Sequence, residues 1–529
     1  MATETLVPLD SLSPVTGAVL GSVAPTPRDG IDSAVRSAAA VQRLWAQLRL
    51  RDRARYMSRA AQAVIAEMDE LADLVCLEQG RPRTEVLLME ILPAIDTLQW
   101  LAEEGPGVLE GERARVSQLL YPGKRARWTY EPLGVVAVLG PAAEPFATPL
   151  GDVAVALMAG NGVVLKPSPL AALAGQRILR LFARAGLPEG LLRIVHGHAD
   201  TGRALVDARG VAQVRFTGSL AAGRDVGEAC ARSLKRSVLD TGGRDAALVL
   251  ADAPVERAIE GVVWAAFANA GQSGGSVERA IVLRDVAESF ITGAVAAARA
   301  LRVGDPREDG VDVGPLVARD RQRRVQELLD EAVADGATLC CGGTTQVDGL
   351  PGPFFAPAVL TGVTSTMRLS REEVPGPVLS IEVVASENEA IAAANRDEAG
   401  LGASVWTADR YKGGRIAREL DAGMVWMNDH LVQRGPPQIP WGGTRGSGVG
   451  RARGAIALRT CAEPKAITWD APRGRAFWWH PYDATLRDAA RALGLLRSQR
   501  DPDRERAFKQ GSPALLRLAG RTVRSLRRR

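Results

Sequence analysis

The feature that most constrains the fold is an alternation, from residue 133 onward, of short apolar runs with longer helical stretches. The first runs are GVVAVLG (134–140), GVVLKPS (162–168), LLRIVHG (191–197) and VAQVRFTGS (211–219). Short runs of this composition are typical of buried parallel strands. Strands that alternate with helices indicate βαβ units, so the sequence predicts an α/β fold built on parallel sheet. A dinucleotide or a phosphate would bind at the carboxyl ends of such strands.

The rest of the chain extends this pattern. Residues 32 to 104 carry apolar residues at spacings of three and four, which predicts helices. A second α/β series begins near residue 254 and ends in the glycine-rich segment PWGGTRGSGVGR. Residues 126–133 and 463–470 are predicted to be two further strands, and we expect them to act as arms that pair with a neighbouring subunit.

Length and composition limit the class of protein. A chain of 529 residues is too long for one compact core, and an apolar share of 46% is ordinary for a soluble globular protein. The five cysteines are scattered and the four histidines are dispersed, so the sequence predicts neither a disulfide framework nor a metal site. The first residues lack the pattern of a signal peptide, and no apolar run approaches the ~20 residues of a membrane span. We therefore expect a cytoplasmic protein.

Positive charge is concentrated at the C-terminal end. Residues 471–529 hold 15 Lys and Arg against 5 Asp and Glu, a net charge of +10, whereas the rest of the chain carries −5.

After the aromatic segment AFWWHPY, amphipathic helices are predicted at 484–500 and at 512–529, the second with Ser512 as N-cap and Pro513 in its first turn. Such a tail suits an anionic membrane surface, at the inner face of the membrane. The alternative is a solvated tail that folds on its own body or on a neighbour. No nucleic-acid partner is expected, because the body is acidic.

Nine motifs stand in the order that one known family shows: GPAAEPF, LKPS, FTGSLAAG, LDTGGRD, GQSGGSVER, GPLV, EEVPGPV, GMVWMNDH and PWGGTRGSGVGR. On these motifs the chain resembles the aldehyde dehydrogenase superfamily over residues 10 to 470. The C-terminal extension loosely resembles that of some succinate-semialdehyde-type members.

The resemblance implies a fold of three parts, followed by the extension. These are a Rossmann-like dinucleotide-binding domain (1–125 and 134–253), an α/β catalytic domain (254–445), a small oligomerisation arm (126–133 and 455–470) and the basic C-terminal extension (471–529). It also implies a homo-oligomer, a dimer or a tetramer.

The family reaction needs a cysteine thiolate that attacks the aldehyde, a glutamate that activates water and an asparagine that binds the oxyanion. All three positions are substituted in this chain. Gly271 and Arg279 keep the frame of the cysteine motif and place Gly274 at the position of the nucleophile. The general-base position is Asp240, whose side chain is one methylene shorter, and the oxyanion position is Ala143.

The missing nucleophile has the greatest consequence. Glycine forms no covalent adduct, whereas a displaced base or a lost oxyanion donor costs roughly 10²–10³-fold in rate. Ser273 and Ser276 flank the gap, but serine requires an adjacent base and no histidine is apparent near this loop. We interpret them as loop serines. Glu144, beside Ala143, would add unfavourable negative charge if it pointed inward. The sequence therefore predicts a chain that is inactive in cysteine-dependent aldehyde oxidation.

The residues expected at the adenosine end of a dinucleotide are better preserved. Lys166 matches the family lysine that reaches the adenosine ribose hydroxyls. Ser168 stands where NAD-preferring members often carry glutamate, so the sequence favours NADP no less than NAD. Gly218 and Ser219 match the turn that opens a helix against the pyrophosphate.

The nicotinamide end is more altered. Glu373 matches the glutamate that holds the nicotinamide ribose, and Gly242 is a further expected cofactor contact. The phenylalanine and tryptophan that the family carries beside the nicotinamide are replaced by Pro375 and Ala142.

Three functions stay open from the sequence. The first is an NAD(P)-binding pseudoenzyme that acts by assembly, with itself or with an active paralogue, or by sensing a dinucleotide or metabolite. The second is an NAD(P)-dependent oxidoreductase that transfers hydride without a covalent intermediate, with Asp240 as the base. The third is a membrane-surface scaffold that acts through residues 471–529.

Overall fold

The computed structural model describes residues 7–118, 120–430, 435–470, 476 and 478–527, with side chains up to residue 521. The chain forms two compact units. The first contains the residues up to Leu109 together with Glu131–Glu463, and the second contains Glu110–Tyr130 together with the residues from Pro464 onward.

The strands of the described residues are, in chain order, β1 (Leu9–Leu12), β2 (Val19–Val23), β3 (Glu112–Ala114), β4 (Arg125–Pro132), β5 (Val135–Leu139), β6 (Gly162–Lys166), β7 (Leu192–Ile194), β8 (Val211–Gly218), β9 (Arg236–Thr241), β10 (Asp245–Val249), β11 (Val277–Leu283), β12 (Thr338–Thr344), β13 (Phe355–Thr361), β14 (Val378–Val384), β15 (Ala399–Gly400), β16 (Gly402–Trp406), β17 (Met424–Met427), β18 (Thr444–Arg445), β19 (Gly448–Val449) and β20 (Ala462–Trp469).

The α-helices are α1 (Arg28–Trp45), α2 (Leu50–Ala66), α3 (Met68–Gln79), α4 (Arg83–Val86), α5 (Leu92–Glu103), α6 (Gly105–Leu109), α7 (Ala147–Met158), α8 (Ala172–Arg184), α9 (Ala199–Asp207), α10 (Leu220–Arg232), α11 (Val255–Phe267), α12 (Arg284–Ala300), α13 (Arg319–Ala334), α14 (Glu387–Ala394), α15 (Arg410–Glu419), α16 (Gly454–Thr460), α17 (Ala484–Leu496) and α18 (Asp501–Arg527). No helix among the described residues combines the length and apolar character that crossing a membrane requires.

The first large sheet contains the predicted βαβ series. Its strand order is β19-β9-β8-β5-β6-β7, and every neighbouring pair is parallel except the short edge pair β19-β9. β5 and β6 are buried along their whole length, which explains why their sequences are continuous apolar runs. The α/β fold with parallel sheet is confirmed, and the helices expected between residues 32 and 104 are α1 to α5.

The second large sheet has the order β12-β13-β14-β11-β10-β16-β17, with only the edge strand β12 antiparallel to its neighbour. It includes β10, which the sequence assigned to the first domain by placing the boundary at 253. In the structure β10 pairs with β11 and β16 after the chain leaves β9, and the domain boundaries stay a prediction. Two successive apolar strands do not reveal from sequence which sheet each one joins.

The second unit contains most of a three-stranded sheet of order β20-β4-β3. The two predicted arms are thus neighbouring strands. The arm expected at 455–470 begins later than predicted, because residues 454–460 form α16 in the first unit. Whether the arms join subunits stays a prediction.

The tail of the second unit is a pair of helices, α17 and α18. The prediction that a helix starts at Ser512 is wrong, because α18 begins at Asp501 and continues through Pro513. Proline lacks the N–H that an interior helical position donates. Apolar contacts between the two helices compensate, since Ala489 of α17 packs with Ala514 and Leu518 of α18.

A buried ion pair joins the first sheet to α7. Arg215 of β8 donates from Nε and Nη2 to Asp152 Oδ1 at 2.9 and 2.7 Å, and its Nη2 also reaches the carbonyl of Ala452 at 3.0 Å. Both charged side chains are almost fully buried. Removing one partner of such a pair leaves an uncompensated charge in the core.

We expect the substitution Asp152→Ala to lower the free energy of unfolding by about 3–5 kcal/mol, because the Arg215 guanidinium would lose its counter-charge while staying buried. Thermal and denaturant melting monitored by circular dichroism would measure the loss. The double variant Asp152→Leu with Arg215→Met is the control, and it should recover most of the stability. A melting curve for Asp152→Ala that matches wild type would contradict the assignment.

Candidate active site

A cavity of about 350 Å³ lies where the carboxyl ends of β8 and β9 meet the loop between α11 and β11. Four segments line it, at 141–144, 217–219, 240–242 and 272–275, together with single side chains from other elements. Its volume suits a small organic ligand. The cavity lies at the sheet edge where the sequence predicted a ligand site.

The loop after α11 has an unusual backbone. Asn269, Ala270 and Gly271 have φ values of 53°, 51° and 67°, in the left-handed region that residues with a Cβ rarely adopt. The Asn269 N–H donates to Glu85 Oε1 at 2.8 Å, and the Asn269 side-chain amide donates to the carbonyl of Ala143 at 3.0 Å. These contacts offset the strain of the turn and fix the path of the loop.

Gly274 lines the cavity at the position where the sequence places the missing nucleophile. Its carbonyl accepts a hydrogen bond from the Gly243 N–H at 3.0 Å, and its φ lies outside the left-handed region. A Cβ built on Gly274 would contact only the Cα of Gly242, at 3.6 Å, an ordinary van der Waals distance. The backbone therefore leaves room for a side chain that the chain does not supply.

Asp240, at the end of β9, lines the same cavity. Its Oδ2 accepts a hydrogen bond from Trp441 Nε1 at 3.1 Å, and Trp441 also faces the cavity. The indole thus orients the carboxylate. The structure brings the three predicted catalytic positions, Asp240, Gly274 and Ala143, to one cavity, and the role of each stays a prediction.

Glu144 lies next to Ala143 and lines the cavity, so its carboxylate is part of the site. Its Oε1 accepts a hydrogen bond from Ser273 Oγ at 2.5 Å. No base near Ser273 was apparent from the sequence. The structure corrects that interpretation, because Glu144 lies within hydrogen-bonding distance of Ser273. The pair was missed because its members are 129 residues apart in the chain.

A histidine also contacts this loop, contrary to the expectation from sequence. His430 Nε2 lies 3.0 Å from the carbonyl of Gly275 and 3.5 Å from Asp245 Oδ2. His430 is fully buried and is not among the described residues that line the cavity. It supports the loop rather than facing a ligand. No local sequence pattern near His430 points to this contact.

The turn expected to bind a pyrophosphate has suitable geometry. β8 ends at Gly218, and Ser219 caps α10 by accepting a hydrogen bond from the Ala222 N–H at 3.4 Å. Both Gly218 and Ser219 line the cavity. The unpaired N–H groups of a helix start and its dipole favour an anion at this position.

Lys166 is the last residue of β6 and Ser168 follows that strand, and neither lines the cavity. Lys166 Nζ donates to the carbonyl of Pro167 at 3.3 Å; burial lowers its pKa to about 8, and the charge of Asp200 opposes this shift. Ser168 Oγ accepts a hydrogen bond from the Leu170 N–H at 3.3 Å. The amine and hydroxyl groups of these two residues can pair with ribose hydroxyls or a phosphate.

Gly242 and Glu373 meet at the wall of the cavity. A Cβ on Gly242 would lie 2.6 Å from Glu373 Oε1, so a side chain at this position would require the Glu373 carboxylate to shift. Arg321, in the first turn of α13, lines the cavity as well. Burial lowers the pKa of Arg321, and the charges of Glu373 and Glu144 oppose that shift. Arg321 was missed from sequence because α13 is rich in charged residues and nothing local separates this one from its neighbours.

Comparison with known proteins identifies the family. The model of the aldehyde dehydrogenase family matches residues 2–467. The chain belongs to the aldehyde dehydrogenase family. It is 34% identical over 464 residues to a betaine aldehyde dehydrogenase of Cereibacter sphaeroides, a match that covers 88% of this chain and 94% of the relative.

Solved structures agree with this membership. PnpE from Pseudomonas sp. WBC-3, in complex with nicotinamide adenine dinucleotide, superposes with a TM-score of 0.84 at 31% identity, over 88% of this chain and 95% of that one. An NADP-dependent enzyme of E. coli superposes with a TM-score of 0.84 at 30% identity, over 89% of this chain and 96% of that one.

Within this aldehyde dehydrogenase fold, the cysteines lie away from the cavity. None of the chain's five cysteines, all of which lie in the described residues, lines the cavity. Burial raises the pKa of the Cys76 thiol to about 12 and also raises the pKa of Cys461. A buried thiol with a raised pKa supplies little thiolate. The described residues also contain no group of three or more His, Cys, Asp and Glu side chains placed to hold a metal ion.

We expect the substitution Gly274→Cys to fold normally and to present a reactive thiol in the cavity, because a Cβ fits there without a clash. Intact-protein mass spectrometry after brief alkylation should show one modification more than wild type, with an unchanged melting temperature. Gly271→Cys, in the same loop, is the control. Its φ is positive and its Cβ would collide with the backbone of Gly376, so it should lower the melting temperature. Equal melting temperatures for the two variants would contradict the described loop.

Proposed function

We propose that the chain is an NAD(P)-binding member of the aldehyde dehydrogenase family that does not oxidise aldehydes through a covalent thiol intermediate. It acts by assembly or by sensing a ligand held in the cavity. The observation that carries the proposal is Gly274, a cavity position with room for a side chain and no nucleophilic atom.

Two further substitutions point the same way. Ala143 offers a methyl group where an amide would stabilise an oxyanion, and losing one such donor costs about 10²–10³ in rate. Glu144, beside it, places a carboxylate in the cavity. A thiohemiacetal oxyanion would therefore face repulsion instead of a hydrogen-bond donor.

Dinucleotide binding is supported by the turn at Gly218 and Ser219 and by Lys166. The turn places a helix start at the cavity, which suits a pyrophosphate. PnpE binds nicotinamide adenine dinucleotide and the E. coli neighbour is NADP-dependent, so the relatives leave the choice between NAD and NADP open. When bound, such a cofactor would supply hydride transfer, while the residues of this chain bind and orient it.

Assembly is supported by β20, an edge strand of the three-stranded sheet with most of its residues exposed. An exposed edge offers unpaired N–H and C=O groups to a strand of another chain. We propose a homo-oligomer, and the same edge would serve for pairing with an active paralogue.

The main alternative is hydride transfer without a covalent intermediate. Asp240 supports it, because its carboxylate lies in the cavity and is oriented by Trp441. A base held in this way could take a proton from an alcohol or from an aldehyde hydrate. The measurement that separates the alternatives is turnover by the wild-type chain.

We expect titration calorimetry to detect binding of NAD or NADP, with affinity at least about tenfold weaker in Lys166→Met, because a charge-assisted hydrogen bond is worth about 1.5–3 kcal/mol. The pKa of Lys166 is about 8, so the charge of free Lys166 is lost as pH rises through that value. Affinity should therefore fall between pH 7 and pH 9 in wild type and change less in Lys166→Met. Absence of any dinucleotide binding would overturn the cofactor part of the proposal.

We expect no NAD(P)H formation from short or long aldehydes by wild type, and measurable formation by the double variant Gly274→Cys with Ala143→Asn. Restoring the thiol and the oxyanion donor supplies the two missing groups on an intact backbone. Ala143→Asn alone is the control and should stay inactive. Aldehyde oxidation by wild type at the rate of the double variant would refute the proposal.

A second candidate function is attachment to an anionic membrane surface through α17 and α18. Phe508 and Leu516 stand two helical turns apart on α18 and are 68% and 73% exposed, beside basic residues such as Lys509. An exposed apolar stripe flanked by positive charge suits an anionic lipid surface. The aromatic Trp479 and Tyr482 before α17 are also exposed.

We expect the full chain to co-sediment with phosphatidylglycerol-containing vesicles at low salt and to be released at high salt, because the charge attraction is screened. The double variant Phe508→Ser with Leu516→Ser should bind several-fold less. Leu234→Ser, which removes an exposed apolar residue of the first unit, is the matched control. Equal sedimentation of wild type and the double variant would rule out this function.

A further inference from the structure

Ser273 and Glu144 form a hydrogen-bonded pair inside the cavity. The Ser273 hydroxyl donates to Glu144 Oε1 at 2.5 Å, and both residues line the space that holds Gly274. We propose that Ser273 is a nucleophile with Glu144 as its base, and that this pair hydrolyses small acyl thioesters or esters with a good leaving group. This activity is separate from dinucleotide binding and does not rest on it.

The pair meets the first requirement of a serine nucleophile, which is a base within hydrogen-bonding reach. Glu144 interacts with charged groups of both signs, among them Arg81, Arg321 and Glu90. Burial alone would lower the pKa of Arg81, but carboxylates that include Glu85 and Glu144 raise it above its usual value. The charge of Glu144 also acts on Arg321 across the cavity. A carboxylate also lies in range, because burial raises the pKa of Glu90 and the charge of Glu144 raises it further.

Backbone donors for an oxyanion stand directly after the serine. In serine hydrolases of the nucleophile-elbow type, the N–H of the residue after the nucleophile stabilises the tetrahedral oxyanion. Here those residues are Gly274 and Gly275, which line the cavity and whose N–H groups have no acceptor among the described residues. Because neither residue carries a side chain, a carbonyl carbon can approach Ser273 from the cavity.

The strained turn at Asn269 and Ala270, just before Ser273, helps to hold Ser273 in position. Asn269 and Ala270 adopt φ values of 53° and 51°, and Gln272 anchors the segment by donating to the carbonyl of Asn269 and accepting from the Val317 N–H. Strain of this kind persists only where surrounding contacts hold it. Ser273 is therefore presented on a rigid backbone.

The chemistry of the cavity limits the substrate. No histidine is among the described residues that line it, so the acid that these residues offer a leaving group is Glu144 after it has taken the Ser273 proton. A thiolate or a phenolate leaves without prior protonation, and a cavity of about 350 Å³ accepts a short acyl chain. An acyl thioester with a small acyl group fits both limits.

The reaction consumes only the acyl thioester and one water molecule. Ser273 Oγ forms a bond to the acyl carbon while its proton passes to Glu144, the carbon–sulfur bond breaks, and the thiolate takes up the proton. Water then attacks the acyl-serine, gives its proton to Glu144 and releases the carboxylic acid, and Ser273 recovers its proton. The products are one acid and one thiol.

Hydrolysis of p-nitrophenyl acetate and of S-acetyl-N-acetylcysteamine, the second followed by thiol release, tests the proposal on the full chain. We expect wild type to exceed both Ser273→Ala and Glu144→Gln by at least tenfold, because a positioned base contributes about 10²–10⁴-fold. Ser276→Ala is the matched control. Ser276 is in the same loop but does not line the cavity, so this variant should keep the wild-type rate within twofold.

Covalent labelling gives an independent readout that does not depend on the fold of Glu144→Gln. An alkyl fluorophosphonate should modify wild type once, at Ser273 by peptide mapping, and should leave Ser273→Ala unmodified. Two results would overturn the proposal: hydrolysis by Ser273→Ala at the wild-type rate, or absence of label from Ser273 in folded wild type.

Discussion

The path of the loop from Asn269 to Gly275 depends on contacts that do not involve a side chain at position 274. Asn269 is held by Glu85 and by the carbonyl of Ala143, and the carbonyl of Gly274 is held by the Gly243 N–H. These bonds offset the cost of two non-glycine residues in the left-handed region. The fold of the site is therefore independent of the nucleophile. The cavity at Gly274 is held by contacts that need no side chain at that position.

Each carboxylate in the cavity is stabilised by a different contact. Asp240 is hydrogen-bonded by an indole and Glu144 by a hydroxyl. Burial raises the pKa of Glu373, while the charges of Arg321 and Arg244 partly offset that shift. Arg321 is the cation among the described lining residues. Ionised carboxylates in one small space repel a developing oxyanion unless a donor lies beside it. This charge distribution, together with Gly274, supports our proposal that the site does not oxidise aldehydes through a thiol intermediate.

The sequence predicted the parts of this molecule that depend on local pattern. Continuous apolar runs identified β5 and β6, and the family motifs placed Gly274 and Asp240 correctly at one cavity. The membership of β10 in the second sheet was not predictable, because strand partners are chosen by hydrogen bonds between distant segments. The start of α18 was misplaced for a similar reason, since packing against α17 overrides the local signal of Pro513. Pairs such as Ser273 with Glu144 join residues 129 positions apart and leave no local trace.

Glu144 has opposite effects on two reactions that the cavity could hold. In a thiolate reaction its carboxylate would stay ionised next to the tetrahedral oxyanion and would raise the energy of that state. In a serine reaction the same carboxylate takes up the Ser273 proton as the bond to the substrate forms, so it becomes neutral when the oxyanion carries its charge. The repulsion between the Glu144 carboxylate and the oxyanion is then absent in the transition state. Lowering the energy of that state is what raises the rate. Under our two proposals, the carboxylate that disfavours a thiolate reaction at position 274 is the one that serves as the base for Ser273.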